Sequence, residues 1–168
     1  MNFSNNILEL ALSYCDLGWS VIPLRPKSKE PLQAWKKSQK HRLDKDHIEK
    51  CWKDNPEANI GIVLGEISNL IAVDIDNPEL FEMANIKLPV NPSTPNQKTS
   101  RGKHYFFKYQ NGIKTYKANW GEIRSDGAYV VVAPSIHPGG SKYEWEISPF
   151  LGAVLPFPKE LVAIIKDP

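Results

Sequence analysis

Leu70-Ile71-Ala72-Val73-Asp74-Ile75-Asp76-Asn77 runs from an apolar stretch into two carboxylates set two residues apart, with Pro78-Glu79 following. Apolar, largely β-branched residues in such a run predict a buried strand. Alternation along that strand puts Asp74 and Asp76 on one face, about 7 Å apart, and Ile71, Val73 and Ile75 on the other. Two carboxylates at the mouth of a buried strand repel, which raises a pKa unless a cation sits between them. Hard divalent metals with oxygen ligands meet that need, and two such ions can clamp a phosphoryl transfer. The plainer role, starting a turn and capping the next helix, is already filled by Asn77 at the cap and Pro78 at the first helical position.

On the N-terminal side, residues 5–17 read as a helix with Ile7, Leu8, Ala11, Tyr14 and Cys15 on one face and Gly18 as its stop. Residues 19–24 read as a strand ended by Pro23 and Pro26, and residues 25–42 as a basic loop anchored by Pro31 and Trp35. Asp44 caps a helix carrying Ile48, Cys51 and Trp52, closed by Asn55-Pro56. Residues 60–64 and 70–76 predict a hairpin around the turn at 65–69, and a helix covers 78–84. Prolines 89, 92 and 95 make 86–97 an extended loop. Beyond it the chain turns strand-rich, at 104–109, 129–133 and 142–147, with a last helix at 161–165. Asp126-Gly127 predicts a two-residue hairpin turn that pairs Arg124 with Tyr129 and Glu122 with Val131. Strands and helices in mixed order give an α+β class.

A length of 168 residues suits one domain, here 1–168, with a core that needs no disulfides. A net charge of +2, from 21 basic and 19 acidic residues, permits a nucleic-acid partner without demanding one, so any basic surface must be local. Cys15 and Cys51 lie far apart within helical patterns and read as buried thiols; zinc would need more ligands, more closely spaced. No apolar run approaches membrane-spanning length and no signal peptide is visible, so a cytoplasmic protein with no membrane partner is expected. The end at Asp167-Pro168 also suits a piece of a longer protein.

Three further clusters could serve phosphate chemistry. Glu122 is the first choice for a third acidic ligand, sharing a face with Arg124; Asp126 is the reserve, because the turn occupies it. In Thr99-Ser100-Arg101-Gly102-Lys103-His104, glycine lets backbone amides approach an anion, Ser100, Arg101 and Lys103 can contact triphosphate oxygens, and His104 could reach phosphate or sugar. The run is not a P-loop, since it lacks the glycine spacing and leads into a strand. Ser135 and His137, in the Pro/Gly turn at 133–140, could touch a nucleotide, although turn formation accounts for most of that stretch. Trp35, Trp120 and Trp145 are available to stack bases, though large aromatics serve cores more often.

Asp74-Ile75-Asp76, then Gly102-Lys103-His104, then Glu122 before a turn resemble, in that order, the motifs of the archaeo-eukaryotic primase superfamily, most closely its bifunctional primase-polymerase branch. The surroundings are similar too: Gly18-Trp19-Ser20-Val21-Ile22-Pro23 with Lys29, Pro31 and Trp35, then 124–135, Tyr143 and Trp145. The likeness runs from about residue 7 to residue 147. It departs from the family pattern at Gly121, where an apolar residue is usual, and at Glu122, where Asp is commoner. The resemblance implies a primase-like fold of mixed or antiparallel sheets, with an RRM-like catalytic half and flanking helices. It also implies a template-dependent nucleotidyltransferase, a DNA primase and DNA polymerase acting on single-stranded or primer–template DNA with dNTPs, NTPs or both. Asp74, Asp76 and Glu122 would hold two Mg²⁺ or Mn²⁺ ions, with no zinc. Ser100, Gly102, Lys103, His104, Arg124 and His137 would serve the nucleotide, and the basic loop at 25–42 the template. A monomer is expected, and fused helicase or other domains could lie outside this chain. Two rival classes share the acids: a metal-dependent nuclease, which has no need of the 100–104 cluster, and a non-catalytic binder of single-stranded nucleic acid.

Overall fold

The computed structural model describes residues 6–166; residue 5 of the first expected helix and Asp167-Pro168 lie outside them. Its elements place two antiparallel sheets side by side. The smaller has the order β1 (Ser20–Leu24), β2 (Asn59–Val63), β8 (Tyr129–Val132). The larger has the order β6 (Tyr116–Ala118), β7 (Gly121–Arg124), β3 (Leu70–Ile75), β5 (Lys103–Lys108), β4 (Asn96–Lys98), β9 (Glu144–Ile147). A two-residue strand, β10 (Leu155–Pro156), runs parallel to the far end of β5. The helices are α1 (Ile7–Asp16), α2 (Lys45–Asp54), α3 (Pro78–Met83) and α4 (Lys159–Lys166). The α+β class therefore stands.

Local signals fixed most of the element ends. Asn77 accepts from the Leu80 amide at 3.1 Å and Asp44 from the His47 amide at 2.8 Å, both as N-caps. Gly18, at φ +87°, turns the chain out of α1 as a left-handed stop. Pro23 sits within β1 and does not end it. β1 is an edge strand of its sheet, where a missing N–H breaks no interior ladder.

Alternation along β3 splits the core as expected. Leu70 and Ala72 join a cluster with Phe106 of β5, the inner faces of β1, β2 and β8, and helices α1 and α2. Ile71, Val73 and Ile75 join Phe107, Ile123, Phe157 and Leu161 on the opposite face. A strand flanked on both sides by others and covered on both faces has no solvated side, so all six of its residues, Asp74 included, are buried.

Both hairpins expected from turn residues are absent. β2 pairs with β1 and β8, and β3 with β5 and β7; only the Gly65–Leu70 bridge spans the intervening turn. β7 and β8 likewise belong to different sheets, so Glu122 pairs with Asp74 and not with Val131. Each turn passes the chain from one sheet to the other. Asp126 locks the two crossings together, accepting from the Glu66 amide at 3.1 Å and the Tyr109 hydroxyl at 2.7 Å. The stretch expected as loop to residue 97 instead ends in β4, which forms a tight hairpin with β5 across Thr99–Gly102.

Candidate active site

The register of the larger sheet sets His104 of β5 and Glu122 of β7 on either side of Asp74. Directly paired residues of neighbouring antiparallel strands share a face, so the three form a row across β5, β3 and β7. Two glycines let the flanking strands close on the acidic end of β3. A Cβ on Gly102 would lie 1.8 Å from the Ile75 carbonyl oxygen, and one on Gly121 only 1.9 Å from that of Asp74. The glycine where the family favours an apolar residue is thus needed for that approach. Gly102 has a structural job of the same kind, and its N–H is donated to Thr99 Oγ1 at 3.1 Å.

Asp74 is 5% exposed. Arg124 Nη2 lies 3.3 Å from its Oδ2, while Arg124 Nε lies 2.6 Å from Glu122 Oε1, so one guanidinium serves both acids. His104 Nε2 stands 3.2 Å from Asp74 Oδ1, close enough for attraction but not aligned as a hydrogen bond; that buried oxygen has no hydrogen-bond partner among the described residues. Burial by itself would raise the Asp74 carboxyl, yet His104, Arg124 and Lys29 together outweigh it and hold the group below the usual carboxylate range. Asp76, just past the strand, is more open and lies 3.8 Å from Arg101 Nη2.

A cleft of about 330 Å³ opens between the two sheets at this row. Asp74, Asp76, Ser100, His104 and Arg124 line it, with Lys29, Trp35, Tyr129 and Tyr143 as further walls. Glu122 faces a neighbouring hollow that it shares with Asp76, Arg101 and Arg124, so Arg124 stands between the two spaces. Tyr129 ties down the basic loop, donating its hydroxyl to the Lys29 carbonyl at 2.7 Å and meeting Trp35 edge-to-face at 4.8 Å between centroids. Burial, helped by the negative charge of Asp74, pushes the Tyr143 phenol up to about 12.

Other expected site residues lie elsewhere. Lys103, next to His104 on the strand, points to the opposite face and its Nζ binds Glu146 Oε2 at 2.6 Å. His137 is held in its own turn, its Nδ1 accepting from the Gly139 amide at 2.9 Å; it lies outside the cleft lining. Asp126 is committed to the crossings and lines neither space. Trp120 and Trp145 pack in the two cores, leaving Trp35 as the tryptophan at the cleft. Sequence reasoning did not assign Lys29, Tyr129, Tyr143 or Gln97 to the site. A hairpin centred on Ser100-Arg101 would have found Gln97, because it pairs residue 97 with residue 104.

An α+β domain whose inter-sheet cleft sets a histidine beside two acids, Asp74 and Asp76, with arginine and lysine at its walls, is built to receive anionic substrates. The chain belongs to the Prim-Pol family, the N-terminal domain of bifunctional DNA primase/polymerases, whose model matches residues 11–160. That membership points to DNA primase/polymerase nucleotidyltransferase activity, with DNA and nucleotides as substrates. No curated protein matches the chain significantly. Among the described residues no helix is long and apolar enough to cross a membrane.

Enzymes of this family generally use divalent metals. The donors suit such an ion in kind: Asp74 Oδ1 is buried without a hydrogen-bond partner, and Glu122 shares the face of Asp74. As arranged here, the Arg124 guanidinium supplies the positive charge between them. Among the described residues no three His, Cys, Asp or Glu side chains gather to hold an ion. Closing these carboxylates on a cation requires Arg124 to turn aside.

Proposed function

We propose that residues 1–168 form one primase-polymerase catalytic domain with a primase-like fold, joining nucleoside triphosphates to a primer or starting nucleotide on a DNA template. The observation that carries this reading is the register that brings His104 and Glu122 to either side of Asp74, with Asp74 and His104 in the cleft and Glu122 in the hollow beside it. Asp74, Asp76 and Glu122 are the residues that would hold Mg²⁺ or Mn²⁺, whose charge would acidify the attacking 3′-hydroxyl and neutralise the triphosphate.

The protein's own groups do the rest. Ser100 and His104 face the cleft where a triphosphate would lie, and Arg101, Arg124 and Lys29 supply positive charge around it. Trp35, braced by Tyr129, offers a partly exposed ring for a base. The exposed lysines 36, 37 and 40 beside it give the template strand a cationic path. Val130 and Val131 of β8 give the cleft an apolar part of its lining. The reading includes a monomer acting in the cytoplasm, where DNA and nucleotides are available.

Incubation with labelled primer–template DNA, Mn²⁺ and dNTPs tests it. Extension of the primer is expected, and is abolished in Asp74→Ala/Asp76→Ala while the fold persists. Shortening of the primer would instead identify a nuclease, and binding without incorporation a non-catalytic relative. Wild-type incorporation by the double variant would remove the metal-holding role.

A further inference from the structure

Gln97 is fully buried, at 0% exposure, at the point where β4 of the larger sheet meets β8 of the smaller. Its side-chain amide makes three contacts there. Oε1 accepts from the Ala133 N–H at 2.9 Å, Nε2 donates to the Val131 carbonyl at 2.8 Å, and Nε2 stands 3.0 Å from His104 Nδ1. A backbone N–H can only donate and a backbone carbonyl can only accept, so the two main-chain contacts fix which end of the amide is oxygen. This removes the usual ambiguity of an amide flip. One hydrogen of Nε2 goes to Val131, and the other is aimed at His104. A proton on Nδ1 would set two donors face to face.

We infer that Gln97 is a positioning residue that locks His104 in the tautomer with its proton on Nε2, so that the cleft meets a hydrogen-bond donor there and no lone pair. That N–H is not committed elsewhere, because its 3.2 Å approach to Asp74 Oδ1 is not aligned as a hydrogen bond. It is therefore free to turn onto an anionic oxygen entering the cleft. A ring in this state is not poised to take a proton from an attacking hydroxyl; its work is to hold phosphate. The lock follows from geometry alone, while its use for a triphosphate rests on the polymerase reading above. The same amide also ties β4 to Val131 of β8 and to Ala133 just beyond it. Binding between the sheets and the tautomer of the histidine are thus decided by one side chain.

Nitrogen-15 NMR of the imidazole rings reads the tautomer directly in the unmodified protein, with the His104 signals among the four histidines identified by their loss in His104→Asn. The expected spectrum shows a protonated Nε2 and a bare Nδ1. Gln97→Glu, which offers Nδ1 an acceptor while Asp74 still faces Nε2, should show a proton on Nδ1, the state that the wild-type amide excludes. Gln97→Leu should weaken the preference, leaving only the Asp74 carboxylate to favour Nε2. In Gln97→Leu, whose imidazole has lost the partner that aims it, affinity for dATP with Mn²⁺, measured by titration calorimetry, should fall about tenfold to a hundredfold, the worth of one hydrogen bond to a charged group. A wild-type ring protonated on Nδ1 overturns the lock, whatever the variants do. The expected tautomer together with no dATP binding by the wild type upholds the lock and sinks the polymerase reading. Unchanged dATP affinity in Gln97→Leu overturns the claim that the lock serves the nucleotide.

Discussion

Replacing Arg124 by glutamine removes the cation set between Asp74 and Glu122. The guanidinium lies 3.3 Å from one carboxylate and 2.6 Å from the other. At an effective dielectric of about 20, a unit pair near 4 Å is worth about 4 kcal/mol before desolvation and screening. The Arg124 side chain is one-third exposed, at 33%, which reduces that gain, whereas the Asp74 side chain at 7% is nearly dry. The variant also leaves two like charges on directly paired positions. A net loss of about 2 kcal/mol is expected, which for a domain of this size lowers the melting temperature by about 4–8 °C. Because the glutamine no longer competes for the carboxylates, Mn²⁺ should stabilise the variant more than the wild type and recover much of the loss. Thermal unfolding across a Mn²⁺ titration measures both effects. A variant as stable as wild type, with an unchanged Mn²⁺ response, would refute the view that Arg124 stands in for a cation.

Gly102→Ala and Gly121→Ala should each cost more than about 3 kcal/mol in denaturant unfolding, because the new methyl meets a β3 carbonyl that cannot retreat. Gly112→Ala, at φ +87° with open space around it, should cost only about 1 kcal/mol. Glu122→Gln should abolish incorporation, whereas Asp126→Asn should keep it and lose about 1 kcal/mol of stability as one of its two bonds weakens; a dead Asp126 variant beside an active Glu122 variant would reverse the choice of third acid. Tyr143, raised to about 12 by burial and the Asp74 charge, should ionise later than an ordinary phenol near 10. The fold favours its protonated form, so the stability it contributes is whole below about pH 10 and disappears as the pH rises through about 12. Phenolate absorbance, compared with Tyr143→Phe, reads that step.

What the sequence settled by itself was local. The alternation of Leu70–Asp76, the caps at Asp44 and Asn77, and the stop at Gly18 depend on neighbours a few residues away, and each appears where expected. Pairing Asp74 with Glu122 and His104 depended on which sheet each strand joined. Turn residues at 65–69 and 125–128 reveal that the chain reverses, yet the same residues serve a hairpin or a crossing between sheets. Only the packing of two sheets around a shared core selected the crossings, because β2 and β3 are each buried on both faces and each needs its own flanking strands. That choice turned Lys103 away from the cleft, tied Asp126 to the crossings, and drew Gln97, Tyr143 and Lys29 to the site from distant segments. Composition could not reveal such neighbours, since their chemistry arises from tertiary proximity.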